Sequence, residues 1–193
     1  MNIKETLNNI KGTLGNFKQE FDTRYVIRGL IDGSLSTLGV VIGASGGETS
    51  TIVAAGIGGG IANGISNVLG ALTAERAMIE EDRERKEKSL LIMNGNLKSS
   101  HEYKYKINKT LYSGTYDGIS TTIGAVIPVL PFFIFEQKIA LIFAVASTLM
   151  ILLGLGIFIG KLSRENLAIS GLKMVLGGII VTIICFGIER FFA

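Results

Sequence analysis

Arg28-Gly29-Leu30-Ile31-Asp32-Gly33-Ser34-Leu35-Ser36-Thr37-Leu38-Gly39-Val40-Val41-Ile42-Gly43 sets a carboxylate inside a run otherwise apolar enough to cross a membrane. A charged side chain at the bilayer centre costs roughly 2.5–3.5 kcal/mol on insertion scales. A chain that keeps Asp32 there must gain from it, and ion handling is the default role. The pattern returns around Asp117, in Gly114-Thr115-Tyr116-Asp117-Gly118. These two segments carry most of the functional reading.

Working outward, the rest of the 193 residues has a membrane protein's profile. Hydrophobic residues make up 48% and charged residues only 18%, with a mean hydropathy of +0.46. The charges fall in blocks between long apolar runs, which predicts an all-α integral membrane protein rather than a soluble domain. The 25 glycines fit that reading, because small residues let helices approach closely in lipid. One cysteine, Cys185, excludes an intrachain disulfide and reads as a small lipid- or helix-facing side chain.

Five spans are expected, at about 25–44, 51–72, 111–135, 139–160 and 168–188, each close to the ~20 residues a crossing needs. Gly56, Gly60 and Gly64 make a four-spaced contact ridge on the second, which also carries Asn63 and Asn67. Pro128 and Pro131 sit near the far end of the third and predict a kink. Between spans two and three, residues 73–110 read as a helical, mixed-charge loop with Glu81–Arg85 and Glu84–Lys88 pairs and a turn at Asn94-Gly95-Asn96. Residues 1–24 show no signal-peptide pattern. Ile3, Leu7, Ile10, Leu14, Phe17 and Phe21 instead mark an amphipathic helix with Lys4, Lys11 and Lys18 beside the stripe. It lies either on the headgroup surface or on the protein's own cytosolic face.

Lys and Arg set the topology. Only Lys138 and Arg190 fall outside the N-terminal stretch through Arg28, the 73–110 loop, and the turn between spans four and five with Lys173 beside it. The positive-inside bias then puts the N-terminus in the cytosol and the C-terminus outside. The net charge of +3 is a topology signal, not a nucleic-acid footprint.

An offset of 85 residues aligns Asp32 with Asp117, Gly29 with Gly114, Gly33 with Gly118, Thr37 with Thr122 and Gly39 with Gly124. Spans one and two against three and four thus form a parallel repeat, with the fifth helix unmatched, a transporter habit. Each Asp has a hydroxyl one turn on, Ser36 or Thr121, and carboxylate oxygen suits first-row divalent metals and protons. The bland alternative, a helix-capping Asp or one paired with Arg28, fits Asp117 better than Asp32.

Arg28-Gly29-Leu30-Ile31-Asp32-Gly33 with Thr37-Leu38 resembles the first-helix motif of the vacuolar iron transporter and yeast Ca²⁺-cross-complementer family. Ile127-Pro128-Val129-Leu130-Pro131-Phe132 resembles its third-helix ending, and Gly160-Lys161-Leu162-Ser163 its last hairpin. The resemblance runs from Tyr25 onward. It implies five spans, a homodimer, and exchange of cytosolic Fe²⁺ or Mn²⁺ for protons, with Asp32 on the pathway. Two departures stand out. Asn67 and Ala71 occupy the positions where the family carries Met and Glu. The 73–110 loop is too short for the family's full cytosolic metal-binding domain, of which Glu80, Glu81, Glu84 and Glu87 form a remnant or simply a solvated face.

The expected function is proton-coupled export of divalent iron or manganese. The expected pathway residues are Asp32, Ser36, Asn63, Asn67 and Asp117, with Asp32 and Asn67, and secondarily Glu81 and Glu84, as metal ligands. The expected partners are a lipid bilayer, a second copy, metal ions and protons, with no cofactor and no nucleic acid. The expected location is a cell membrane. A carrier for another cation or small solute, and a non-transporting membrane interaction protein, are the competing readings. An enzyme is not expected: no hydrolytic metal motif, phosphate loop or nucleophile with a positioned base is present, and His101 lies in a polar loop.

Overall fold

The computed structural model describes residues 23–93 and 95–192. The amphipathic arm, up to residue 22, lies outside them. Helix α1 spans Thr23–Gly43, and α2 spans Thr49–Gly70. A π-turn, Ala71–Glu75, carries α2 directly into the charged α3, Arg76–Ser89. After a 3₁₀ turn at Asn96–Ser99 come α4 (His101–Val126), a second 3₁₀ turn (Leu130–Phe133), α5 (Gln137–Ser163) and α6 (Leu167–Phe192). No strand occurs among the described residues.

Among the described residues four helices are long and apolar enough to cross a membrane: α1, α2 with its extension, α5 and α6. Their lipid-side faces are rows of exposed Ile, Leu and Phe, such as Ile57, Ile61 and Ile65 on α2 and Ile180, Ile183 and Ile184 on α6. Helix α4 falls outside this class because its buried face is polar, with Thr110, Ser113, Asp117, Ser120 and Thr121. That face is turned inward, and α4 is the helix on which α1 packs most extensively.

The third apolar run differs from its expected form. It is helical only to Val126, and the chain then turns through Pro128 into the short 3₁₀ segment. Proline has no N–H to continue the ladder and its ring clashes with the preceding turn. Two prolines three residues apart break the helix rather than kink it. Pro128, Val129, Pro131 and Phe132 are buried by this turn and close one end of the bundle. There Leu38, Val41, Ile42, Ile52, Val129, Phe132, Ala140 and Ala144 form a dry core. Gln137 at the start of α5 locks the same end, its Nε2 donating to the carbonyls of Ser45 (2.6 Å) and Gly47 (3.0 Å).

At the other end, α3 and the first turns of α4 form a charged hairpin. Ser100 caps α4 by accepting from the Tyr103 N–H at 3.2 Å. Arg83 and Glu87 are buried against each other at 2.5 Å, and Glu87 also accepts from the N–H groups of Gly95 (2.9 Å) and Leu97 (2.7 Å). Burial pushes the Glu87 carboxyl up, but these three donors together hold it below the usual carboxylate range. Glu80 is likewise held low by the Tyr103 hydroxyl and then Arg83. Lys86 and Lys106 do the same for Glu102, and Lys106 and Lys86 for Asp82. Lowered carboxylates stabilise the folded state above their ordinary values and lose that contribution as pH falls through the folded ones. The hairpin is therefore expected to stay closed at neutral pH and to open below about pH 4, while the apolar helices remain packed. Hydrogen exchange at residues 90–100, followed from pH 7 to pH 3, checks this. Protection that does not change across that range contradicts it.

Candidate ion site within the helix bundle

Glycine brings the site's helices together. A Cβ added at Gly33 of α1 would sit 2.7 Å from the Thr121 carbonyl carbon and 2.9 Å from the Ala125 nitrogen of α4. At Gly124 of α4 it would sit 2.6 Å from the Leu30 carbonyl oxygen. Backbone meets backbone, and the two helices run parallel, Arg28 against Asp117 and Leu30 against Gly124. Helix α2 crosses α4 antiparallel, with Gly64 against Gly118 and Thr122, and Gly60 against Ala125. The polar residues beside these crossings are spaced by one turn, so each pair shares a helix face: Asp32 with Ser36, Asn63 with Asn67, Asp117 with Thr121.

Asp32 is the centre. Its Oδ2 accepts from Asn63 Nδ2 at 3.1 Å and from Asn67 Nδ2 at 2.8 Å. Asn63 Nδ2 also donates to Ser36 Oγ at 3.0 Å, and Asn67 Nδ2 to Thr121 Oγ1 at 2.8 Å. Thr121 in turn donates to the Asp117 carbonyl at 2.8 Å. One network thus joins α1, α2 and α4. Asp32 and Asn63 are half-buried, and Ser36 is exposed on the flank of the bundle.

Asp117 has a different environment. Its carboxylate is fully buried and paired with Arg28, whose Nη2 reaches Oδ2 and whose Nε lies 3.4 Å from Oδ1. Arg28 lies over the Tyr25 ring, 5.0 Å from its centroid, and the Tyr25 hydroxyl donates to Glu75 at 3.3 Å. The pairing expected for one of the two aspartates is therefore made by Asp117. Asp32 makes no ion pair among the described residues; its charge is held by neutral amides. Removing Arg28 would leave a buried carboxylate alone. Breaking a buried pair this way costs about 3–5 kcal/mol, less here because Arg28 is 58% exposed. Arg28→Ala is expected to lower the thermal midpoint clearly, and Arg28→Ala with Asp117→Asn to recover much of the loss. Equal midpoints for wild type and Arg28→Ala would contradict the pairing.

The structure gathers Asp32, Ser36, Asn63 and Asn67, and links Asp117 to them through Thr121. It does not bring Glu81 or Glu84 there. Both lie on the hairpin, Glu81 with Arg85 at 2.8 Å and Glu84 with Arg83 at 3.6 Å rather than with Lys88. Among the described residues, no three His, Cys, Asp or Glu side chains converge as a metal cage. Ala71, where the resemblance implies a glutamate, is buried with its methyl against Gly114. A longer side chain there would have to push α4 away. Thr121 is the member that sequence reading left out of the site. The spacing of Thr110, Ser113, Asp117 and Thr121 on one face of α4 is the signal that points to it.

Residues 76–190 match the VIT family. The chain belongs to the VIT family. It is also 57% identical, over 191 residues, to the uncharacterized protein MJ0645 of Methanocaldococcus jannaschii, covering 98% of this chain and 96% of that one. The VIT family is a transporter family that includes vacuolar iron transporters, and membership points to membrane metal-ion transport.

Proposed function

We propose that this protein is a proton-coupled transporter that moves Fe²⁺ or Mn²⁺ out of the cytosol. One observation carries the reading. Of two aspartates at matching positions on parallel helices, Asp117 is neutralised by Arg28, while Asp32 has only amide donors. A membrane carboxylate without a cationic partner is a place for a cation or a proton. Asp32 is the ion-binding group. Ser36 supplies neutral oxygen, as do Asn67 and Asn63 once their amides turn over from donating to Asp32, and Asp117 with Arg28 anchors the hairpin-side mouth.

In this reading α4 is the fifth crossing, its polar face hidden between α1 and α2. The charged hairpin and the N-terminus face the cytosol, following the Lys and Arg bias. The matching glycine–aspartate segments of α1 and α4 are the two halves of a parallel repeat. Exposed Ser36, beside half-buried Asp32 and Asn63, opens on a flank that would otherwise meet lipid. A second copy covering that flank keeps the polar groups out of hydrocarbon, which supports a homodimer.

The donors around Asp32 are all carboxylate, amide and hydroxyl. Such a set favours hard divalent ions over soft ones and keeps a carrier for another cation as the second reading. Purified protein in proteoliposomes, given Mn²⁺ or Fe²⁺ with and without a pH gradient, tests the proposal. Flux that depends on the gradient, with Mg²⁺ and Ca²⁺ as competitors, supports it. No flux of any divalent ion overturns it and favours the non-transporting reading.

A further inference from the structure

Threonine inside a helix ordinarily returns its hydroxyl to the carbonyl four residues back. Thr73, Thr115, Thr121, Thr122, Thr148 and Thr182 all do so, at 2.7–3.0 Å. Thr37 does not. It is 1% exposed, and its Oγ1 has no hydrogen-bond partner among the described residues. The carbonyl it would use, that of Gly33, instead accepts from Ser36 at 3.3 Å. The Thr37 hydroxyl faces α2 at Gly60, where an added Cβ would stand 3.5 Å from Oγ1.

That position is one turn beyond the Asp32 network. On α2 Gly60 lies one turn from Asn63 on the Asn63–Asn67 face; on α1 Thr37 follows Ser36 about 100° round the helix, on the buried Gly33 face that meets α2 and α4. Past Thr37 the path is shut by Leu38 and Val41 of the dry core, both fully buried. An unpartnered buried hydroxyl costs about 1–3 kcal/mol, so one kept in a helix calls for a reason. Here the default acceptor is within reach of the same helix turn and is declined.

We infer that Thr37 Oγ1 is the next oxygen station for the transported ion, between Asp32 and the sealed end, engaged when α1 and α2 part. The inference rests on the transport reading above and deepens it. The ion leaves a carboxylate–amide site for a neutral hydroxyl and so releases its hold on Asp32. Hydroxyl oxygen serves a hard divalent cation such as Mn²⁺ and gives nothing to a soft one. Among the described residues the Thr37 hydroxyl makes no hydrogen bond to Asp32, Ser36, Asn63 or Asn67, so it acts on passage and not on first binding.

Thr37→Val keeps the volume and removes the hydroxyl; Thr37→Ser keeps the hydroxyl. Mn²⁺ flux in proteoliposomes and thermal unfolding in detergent are measured for both and for wild type. The expected result is a maximal rate lowered about tenfold in Thr37→Val, with an unchanged half-saturating Mn²⁺ concentration and an unfolding midpoint equal to or above wild type. Thr37→Ser transports near the wild-type rate. Should Thr37→Val not fold, Thr37→Ala against Thr37→Ser gives the same comparison. Wild-type flux in Thr37→Val overturns the inference and leaves the transport reading standing, as does a Thr37→Ser as slow as Thr37→Val. A wild-type protein that moves no Mn²⁺ overturns both.

Discussion

Asp32→Asn is expected to abolish Mn²⁺ or Fe²⁺ flux while leaving the protein folded. The amide is isosteric with the carboxylate, and its Oδ1 can take the hydrogen bonds that Asn63 and Asn67 now give to Asp32. Stability should hold or rise, since a charge leaves the membrane interior. Binding should fail. A divalent ion 4 Å from a carboxylate gains roughly 8 kcal/mol at an effective dielectric constant of 20. Even a third of that corresponds to about a hundredfold in affinity. No second acid can substitute: Asp117 is committed to Arg28, and the hairpin glutamates Glu81 and Glu84 are paired with arginines elsewhere. Flux at or above a tenth of wild type, from protein with a wild-type unfolding midpoint, would remove Asp32 from the mechanism. Asp117→Asn is the informative contrast. It should disturb the unfolding midpoint more and the half-saturating ion concentration less.

The long apolar helices were legible because their signal is long. Expected crossings at 25–44, 139–160 and 168–188 fall within helices Thr23–Gly43, Gln137–Ser163 and Leu167–Phe192 to within a few residues. The continuation of the second crossing into a charged helix was legible for the same reason. What local pattern could not supply was the pairing of side chains distant in sequence. Asp32 and Asp117 look alike along the chain, each before a glycine and one turn before a hydroxyl, and the expectation that the Arg28 pairing suits Asp117 better came without its geometry. They diverge because Arg28 of α1 reaches across to α4, and position 113, its counterpart by the repeat, is a serine with nothing to reach back with. Thr121 was visible as a hydroxyl but not as the atom that hands Asn67 on to α4. The buried Arg83–Glu87 pair was not among the pairs expected of the charge run, where Glu87 read as part of a metal-domain remnant or a solvated face. The N–H groups of Gly95 and Leu97, eight and ten residues downstream of Glu87, are what make it interior. The break after Val126 was half-read: the prolines announced a distortion, and burial of Val129 and Phe132 decided that it would be a plug.

Gly33→Ala is expected to be among the most damaging single changes in the chain, although local propensity argues the opposite. In a helix interior alanine is favoured over glycine by about 1 kcal/mol. At Gly33 that gain meets α4 backbone, with the Thr121 carbonyl carbon 2.7 Å and the Ala125 nitrogen 2.9 Å from the added methyl. Backbone in a helix cannot step aside as a side-chain tip can. The helices must part, and their parting breaks the Asn67–Thr121 bond and the Arg28–Asp117 pair together. The cost should reach or exceed about 3 kcal/mol, the upper end of overpacking. Gly154→Ala on α5 is the control. Nothing lies within 4 Å of a methyl there, so propensity acts alone and the midpoint should hold or rise. Thermal unfolding of the two variants beside wild type in one detergent separates these effects. A Gly33→Ala midpoint equal to that of Gly154→Ala would mean that α1 and α4 are not in backbone contact, and that the carboxylate beside Gly33 is not held where its charge could be used.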